Sequence, residues 1–182
     1  MTIEPGTHAI GPADGTLTVH TGKHGAAAMA GHNLRIEVTA WTATVTIGAA
    51  PAQTSLELTA DSKSLRVLEG TGGAKHLGDD DKTNIAKTIN KEVLKGTDIA
   101  FRSTSVDGDA NGRLSVQGEL TLSGTTQPIT FDLALGDDRT ISASATITQS
   151  NWGMKPYSAL FGTLKVNDDV EVTIDATLPA AG

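Results

Sequence analysis

Three histidines lie close together near the N-terminus and are the first candidates for chemistry. His20, His24 and His32 fall within thirteen positions, and three imidazoles can hold zinc or another transition metal while one position stays open for water. Along an extended strand, however, four residues span about 13 Å, too far for two ligands that each bind the same metal at about 2 Å. Only a folded loop gathers these side chains. A metal-dependent enzyme therefore stays open as an alternative, and the sequence favours surface or loop histidines.

Other catalytic signatures are missing from the sequence. There is no G-x-S-x-G nucleophile elbow, Gly22-Lys23 lacks the spacing of a phosphate loop, and the absence of cysteine excludes thiolate chemistry and disulfides. Acidic clusters at 79–81, 137–138 and 168–169 stand where turns or a helix start are expected, and calcium needs a denser set of oxygen ligands. We therefore predict no cofactor and no enzymatic activity.

Composition limits the remaining classes of function. The composition is uniform along the 182 residues, which predicts a single domain over residues 1–182. A net charge of -7 disfavours nucleic acid as a partner. The N-terminus has neither a basic region nor an apolar run, and no stretch approaches the ~20 apolar residues of a membrane span, so the sequence predicts a cytoplasmic protein. With only 3% aromatic residues, the core must consist of aliphatic side chains and alanine.

Alternating apolar residues predict β-strands along most of the chain. The clearest case is a hairpin in which Leu114 to Leu122 and Ile129 to Leu135 alternate on either side of a polar break at 124–128. The alternation that begins at Leu34 changes parity near Ala40, which predicts a bulge or a sharp bend there. These patterns indicate antiparallel strands with one dry face.

One segment has helical rather than strand periodicity. Ile85, Ile89 and Val93 recur every four residues after the acidic run at 79–81 and before Gly96, which predicts one amphipathic helix over about 80–95. On the same segment Lys87, Lys91 and Lys95 form a basic stripe. A solvated helix face is the favoured interpretation of this stripe, and transient contact with an anionic membrane surface is the alternative.

These elements predict an all-β fold, namely a single antiparallel β-barrel of about eight strands with the helix at one side. Closure into a barrel removes the long open edges that so many strands would otherwise expose. An eight-stranded barrel either fills with side chains or holds one small ligand, and the many alanines favour an apolar cavity. Pairing of edge strands leaves a homodimer open.

Several motifs resemble those of the YceI-like polyisoprenoid-binding proteins. The resemblance rests on the G-x-L-T-L-x-G-x-T-x-P-I-x-F hairpin from Gly118 to Phe131, the F-x-S strand at 101–103, the acidic helix start, the Trp152-Gly153 turn and the D-D-V-x-V-x-I strand at 168–174. It spans most of the chain. It implies an extended lipocalin-like barrel that holds a long isoprenoid or a similar amphiphile.

We therefore predict a carrier for a long apolar or amphiphilic small molecule, such as an isoprenoid, a quinone or a lipid, held in the barrel interior. The predicted tunnel residues are Leu17, Val19, Ile36, Val38, Trp41, Val45, Leu56, Phe101, Leu114, Val116, Leu120, Phe131 and Ile147. Arg102, Asn151 and Tyr157 are the predicted polar groups at the mouth. The large side chains of Trp41, Trp152, Tyr157 and Phe161 either plug the core or line the mouth. The third alternative is a solid-core barrel that acts through its surface, as a partner-binding or stress-related module.

Overall fold

A computed structural model describes residues 3–109 and 111–180, so both ends of the predicted domain and position 110 lie outside the described residues. The described chain is predominantly β with one α-helix, which confirms the predicted class in coarse form. Its strands are β1 Gly6–Ile10, β2 Gly15–Thr21, β3 Lys23–His24, β4 Asn33–Val38, β5 Trp41–Ile47, β6 Ser55–Ala60, β7 Leu65–Thr71, β8 Ile99–Gly108, β9 Arg113–Leu122, β10 Thr125–Leu135, β11 Thr140–Thr148, β12 Ser158–Ala159, β13 Leu164–Val166 and β14 Asp169–Thr177. Short 3₁₀ turns cover Ala28–Ala30, Pro51–Gln53, Ser62–Ser64, Gln149–Trp152 and Leu160–Gly162.

The main sheet is a curled antiparallel sheet in the order β1-β5-β6-β8-β9-β10-β11-β14-β2-β4-β7. A second, small sheet pairs β12, β13 and β3. The main sheet has eleven strands rather than about eight, because the bend near Ala40 divides one predicted strand into β4 and β5 and because β1 forms where the sequence predicted no strand. Three pairs of strands follow each other in the chain, β1/β2, β4/β5 and β6/β7, and the two members of each pair lie near opposite ends of the order; we call them the divided pairs.

The division of β4 from β5 lies at Thr39 and Ala40, where the sequence predicts a bend. The neighbouring pair β6/β7 is divided at a matching level. The Thr39 N–H donates to the Ser64 carbonyl at 3.0 Å, and the Asp61 N–H donates to the Ala40 carbonyl at 3.0 Å. The two bends therefore stay hydrogen-bonded to each other, and both strand pairs change direction together.

The predicted hairpin is present as β9 and β10, but its turn is shorter than predicted. Ser123 and Gly124 form a two-residue turn with φ of 50° and 78°, the left-handed geometry that suits the twist of a tight hairpin. Pro128 lies inside β10, opposite Glu119, rather than in the turn. The ladder between β10 and β11 begins only at Asp132. At the level of Pro128 no N–H is needed for a bond to β11, so the strand tolerates a proline there.

The predicted helix is α1, Asp79–Thr88, which continues as a π-helical turn over Ile89–Val93. It begins after Gly78, whose N–H donates to the Asp81 carboxylate at 3.1 Å. It ends where Lys95 and Gly96 adopt left-handed φ values of 54° and 67°, as expected for a helix stop. Within the described residues, no helix is long and apolar enough to cross a bilayer.

The interior of the curled sheet is filled at one end. We call this region the packed end. Its members are fully buried, touch one another and come mostly from β1, β5, the first half of β9 and the strand ends opposite them. They are Ile10, Trp41, Ala43, Val45, Ile47, Val106, Leu114, Val116, Leu133, Ile141, Ala176 and Leu178.

Candidate functional site

The other end of the interior holds a cavity of about 840 Å³. We call this region the hollow end, defined by the residues that line the cavity. Its volume lies within the ~300–1,000 Å³ typical of small-molecule sites. Strands of the main sheet supply most of its wall through Leu17, Val19, Thr21, Leu34, Ile36, Val38, Leu58, Ala60, Leu65, Ile99, Phe101, Leu120, Leu122, Ile129, Phe131, Ala143, Ala145, Ile147, Val170, Val172 and Ile174. These strand residues are apolar except for Thr21, and the polar Ser144 of β11 also borders the cavity.

Alternation along the strands explains why this wall is apolar. In β14, Val170, Val172 and Ile174 face the cavity, while Glu171 and Asp175 are exposed on the opposite face. A strand places successive side chains on opposite faces, so every second residue meets the cavity. The curled sheet therefore presents a continuous hydrocarbon surface to whatever occupies the hollow end.

The helical segment completes the wall. Ile85, Ile89 and Val93, the apolar stripe predicted from the sequence, all line the cavity, and Leu94 joins them. These helical residues are not among the site residues predicted from the sequence. Their periodicity was the available signal, because the apolar stripe of a single helix beside a sheet must face that sheet's interior.

Polar groups gather around the opening of the cavity. Lys23, Lys75, Lys165, His32 and His76 all border it. The Lys23 ammonium donates to the carbonyls of residues 31 and 72, the first at 2.6 Å. A ring nitrogen of His32 lies 2.6 Å from the Lys75 carbonyl. These bonds tie the segment around β3 to the loop after β7 and give the opening a cationic border.

Two aromatic rings meet at the boundary between the packed and hollow ends. The centroids of Phe101 and Phe131 lie 5.4 Å apart with the rings tilted by 58°, an arrangement that favours edge-to-face attraction. Gly118, between the two strands, leaves room for this pair, since a Cβ there would lie 2.4 Å from the Phe101 ring. The ring pair therefore forms part of the cavity floor.

Nine of the predicted residues line the cavity: Leu17, Val19, Ile36, Val38, Phe101, Leu120, Phe131, Ile147 and Tyr157. Five others face the interior but pack against the packed end instead: Trp41, Val45, Leu56, Leu114 and Val116. These five residues share the inward face of their strands with the cavity residues and differ from them in depth along the strand. Trp41 and Val45 lie on β5, beyond the bend, and neither β1 nor β5 contributes a residue to the described wall.

Four predicted residues lie away from the cavity. Arg102 is on the outer face, 3.9 Å from the Glu119 carboxylate, because an outward residue of β8 cannot reach the interior. Asn151 is exposed, and Phe161 is fully exposed. Trp152 is buried behind the wall, where its indole N–H donates to the Leu120 carbonyl at 2.8 Å. The plugging interpretation therefore applies to Trp41 and Trp152, and only Tyr157 of the four large side chains lines the cavity.

The three histidines do not form a metal site. The Nδ1 of His24 lies 2.8 Å from the Asn167 side-chain oxygen, His32 bonds to the Lys75 carbonyl, and His20 lies 3.5 Å from the Thr173 hydroxyl. Among residues 3–109 and 111–180, no three His, Cys, Asp or Glu side chains are grouped so that they could hold a metal ion. Different strands and loops separate the three imidazoles, and each has its own partner.

Comparison with known proteins places this architecture in a described group. A family model, the YceI-like domain, matches residues 8–178. Two UPF0312 proteins from strains of Pseudomonas putida are 30% identical over 97 residues, which is 48% of this chain and 50% of each relative. The chain thus spans about half the length of the curated relatives it matches.

Solved structures with the same fold are more distant in sequence. BcnA from Burkholderia cenocepacia is similar with a TM-score of 0.66 at 17% identity, over 88% of this chain and 94% of that one. A polyisoprenoid-binding domain from Saccharophagus degradans, implicated in plant cell wall breakdown, gives a TM-score of 0.56 at 12% identity, over 97% and 100% of the two chains. The YceI protein of Campylobacter jejuni gives 0.57 at 16% identity, over 80% and 85%.

Proposed function

Because the chain belongs to the YceI-like domain family, we propose that it binds a long apolar or amphiphilic small molecule in the hollow end. An isoprenoid, a quinone or a lipid has the required shape. The observation that carries the proposal is the cavity of about 840 Å³ with its nearly uniform hydrocarbon wall. The similarity of fold to a polyisoprenoid-binding domain from Saccharophagus degradans supports the same class of ligand.

We further infer that the sheet is closed into one barrel domain. In the pairing order the terminal strands are β1 and β7, and each continues in the chain into an internal strand, β2 or β6. If each divided pair counts as one bent strand, eight strands remain, and every one of them has two neighbours. Closure would surround the ligand with hydrogen-bonded backbone and leave the outer, polar face to water.

Apolar burial supplies most of the binding free energy in this proposal. Each buried methylene contributes about 0.8 kcal/mol, so a long hydrocarbon chain needs few specific contacts. The cationic border of Lys23, Lys75 and Lys165 lies at the opening, where it can orient a polar or acidic head group toward water. The ligand would then enter tail first, with its head between the small sheet and the loop after β7.

A cavity-filling substitution tests the proposal. Ala145 faces the cavity from β11, and Ala145→Phe would occupy space that the ligand needs. The matched control is Ala134→Phe on β10, where the alanine is exposed on the outer face. We expect the wild-type protein and the control to bind a dansyl-labelled undecanoic acid with enhanced fluorescence, and Ala145→Phe to bind it at least about tenfold more weakly.

Mass spectrometry of extracts from the purified protein provides the second measurement. A stoichiometric long-chain molecule with the wild type and the control, but not with Ala145→Phe, is the expected result. Absence of any such molecule together with no response to the dansyl probe would contradict the proposal. The cytoplasmic location and the homodimer stay predictions, which fractionation of the source cells and analytical ultracentrifugation would check.

A further inference from the structure

Four large apolar side chains are exposed in the described part of the chain, and all of them come from two segments beside the cavity opening. We call them the apolar rim: Met29, Tyr157, Leu160 and Phe161. Met29 is 83% exposed, and Phe161 is as exposed as an isolated side chain. Monomeric proteins rarely collect such groups in one place unless that place meets a partner or a membrane.

Hydrogen bonds and packing hold the two segments of the rim together. The Ala27 N–H donates to the Thr163 carbonyl at 2.8 Å. Leu164 packs against Gly31, where a Cβ would approach its side chain to 2.6 Å. Tyr157 and Leu164 also line the cavity. The rim therefore borders the opening directly, on the side of the small sheet.

The backbone of the rim holds its side chains away from the protein. Leu160 and Phe161 have φ values of 51° and 56°, a left-handed conformation that costs an ordinary residue about 1–2 kcal/mol. Thr163 stabilises this turn, because its hydroxyl donates to the Leu160 carbonyl at 2.6 Å and its N–H donates to the same oxygen at 3.2 Å. Two adjacent large apolar residues are thus presented to solvent by a strained, hydrogen-bonded turn.

The charge around the opening differs from the charge of the whole chain. The chain carries 21 acidic residues, yet the three segments that border the opening, 22–34, 72–78 and 154–166, contain four lysines, three histidines and no aspartate or glutamate. Asp81, which begins the adjoining helix, is the acidic group that lines the cavity, and its carboxylate accepts a bond from the Gly78 N–H. The surface that carries the apolar rim is therefore locally cationic.

We propose that the apolar rim inserts into the head-group region of an anionic lipid bilayer and sets the cavity opening against the membrane. Aromatic and aliphatic side chains beside lysines are the combination that anchors a protein at such an interface. The purpose of this contact rests on the proposed function, since a water-insoluble ligand is best exchanged where it need not cross water. Of the residues that the structure describes, no exposed large apolar side chain lies on the helical segment that carries the basic stripe Lys87, Lys91 and Lys95, and this stripe is the competing surface.

Vesicle flotation of the full chain tests this inference. The probes are vesicles of phosphatidylcholine alone and of phosphatidylcholine with 30 mol% phosphatidylglycerol. We expect the wild type to float with the anionic vesicles. The double variant Leu160→Ser/Phe161→Ser should bind them at least about tenfold more weakly, because serine has little apolar surface to move from water into the bilayer. The triple variant Lys87→Ser/Lys91→Ser/Lys95→Ser is the matched control and should float like the wild type.

Two outcomes would overturn the inference. One is wild-type protein that floats with neither vesicle; if that protein is also a dimer that the rim substitutions abolish, the rim is an interface between two copies. The other is loss of flotation in the lysine variant but not in the rim variant.

The dansyl probe separates this inference from the proposed function. The rim variant should retain probe binding in solution and the wild-type melting temperature, which shows that its fold and cavity are intact. Ala145→Phe should lose the probe and keep vesicle flotation. If the wild type floats but binds no probe, the cavity proposal fails alone; if it binds the probe but does not float, the membrane inference fails alone.

Discussion

The packed end and the hollow end are built from the same sheet with the same alternation, yet only one of them is filled. In β5, the inward residues Val45 and Ile47 are 5% and 8% exposed. In β14, the inward residues Val172 and Ile174 are only half-buried, because they face the cavity. The difference shows that alternation specifies which face of a strand is dry, whereas the volumes that meet across the interior decide whether that face is packed.

Side-chain volume accounts for much of the contrast. The packed end contains Trp41 and a cluster of leucines, isoleucines and valines in mutual contact. In the hollow end, the inward positions of β6 and β11 carry Ala60, Ala143 and Ala145. These small inward residues leave space that no other side chain reaches, and the helical segment covers this space without filling it.

Truncation of one isoleucine in each region should give the largest difference in the free energy of unfolding between the two ends. Ile141 is 3% exposed in the packed end, and Ile129 is half-buried in the cavity wall. We expect Ile141→Ala to lower the free energy of unfolding by about 2–5 kcal/mol, since it leaves a void in a close-packed region. Ile129→Ala should cost only about 1 kcal/mol, because it enlarges a cavity that already exists. Urea unfolding measures both values, and equal losses would refute the division into two ends.

Replacement of an alanine by phenylalanine should have opposite effects on stability in the two regions. Ala43 is buried among Ile10 and other packed-end residues and does not line the cavity, so Ala43→Phe should destabilise the protein by about 1–3 kcal/mol. Ala145→Phe should cause no loss and can add about 0.5–2 kcal/mol, as cavity-filling substitutions commonly do. Melting temperatures of the two ligand-free variants provide the measurement. Destabilisation by both would mean that the hollow end cannot accept added volume.

The smallest expected effect is a pH dependence of stability that comes from Asp138, in a turn beside the packed end. Asp138 accepts bonds from the Thr140 hydroxyl at 2.6 Å and from the Thr140 N–H at 3.2 Å, and these bonds lower the pKa of its carboxyl below 3.8. A lowered folded-state pKa stabilises the protein above about pH 4. That stabilisation disappears as the pH falls through the lower value.

We therefore expect Asp138→Asn to lower the melting temperature slightly at pH 7, and this difference to disappear as the pH falls through the lowered pKa of Asp138. Because the turn lies beside Leu178 rather than the cavity, the difference should be the same with and without the dansyl probe. A change that depends on the probe would link the two ends more closely than their contacts suggest.

Much of the fold follows from the sequence because its signals are local. Alternation located most of the long strands but not β1, four-residue spacing located α1, and a parity change located the bend at Ala40. The hairpin turn was misplaced because Pro128 resembles a turn residue, and only the missing ladder to β11 explains its place within a strand. Local patterns do not reveal which strand edges lack a partner.

The site was less predictable than the fold, for a geometric reason. Leu114 and Leu120 have the same parity on β9, but one lies in the packed end and the other lines the cavity. Depth along a strand depends on register between strands distant in the chain, which a single sequence does not record. The cationic border was missed for the same reason, since Lys23, Lys75 and Lys165 come together only after the small sheet forms.

The three divided strand pairs have a consequence for cooperativity. Each pair crosses from the packed end into the hollow end as one continuous chain, and the bends at Ala40 and Ser64 are hydrogen-bonded to each other. Local unfolding of the packed end should therefore disrupt the hollow end as well, and the reverse. A molecule bound only in the cavity would then raise the melting temperature of the whole protein in a single transition, by mass action on one folded state.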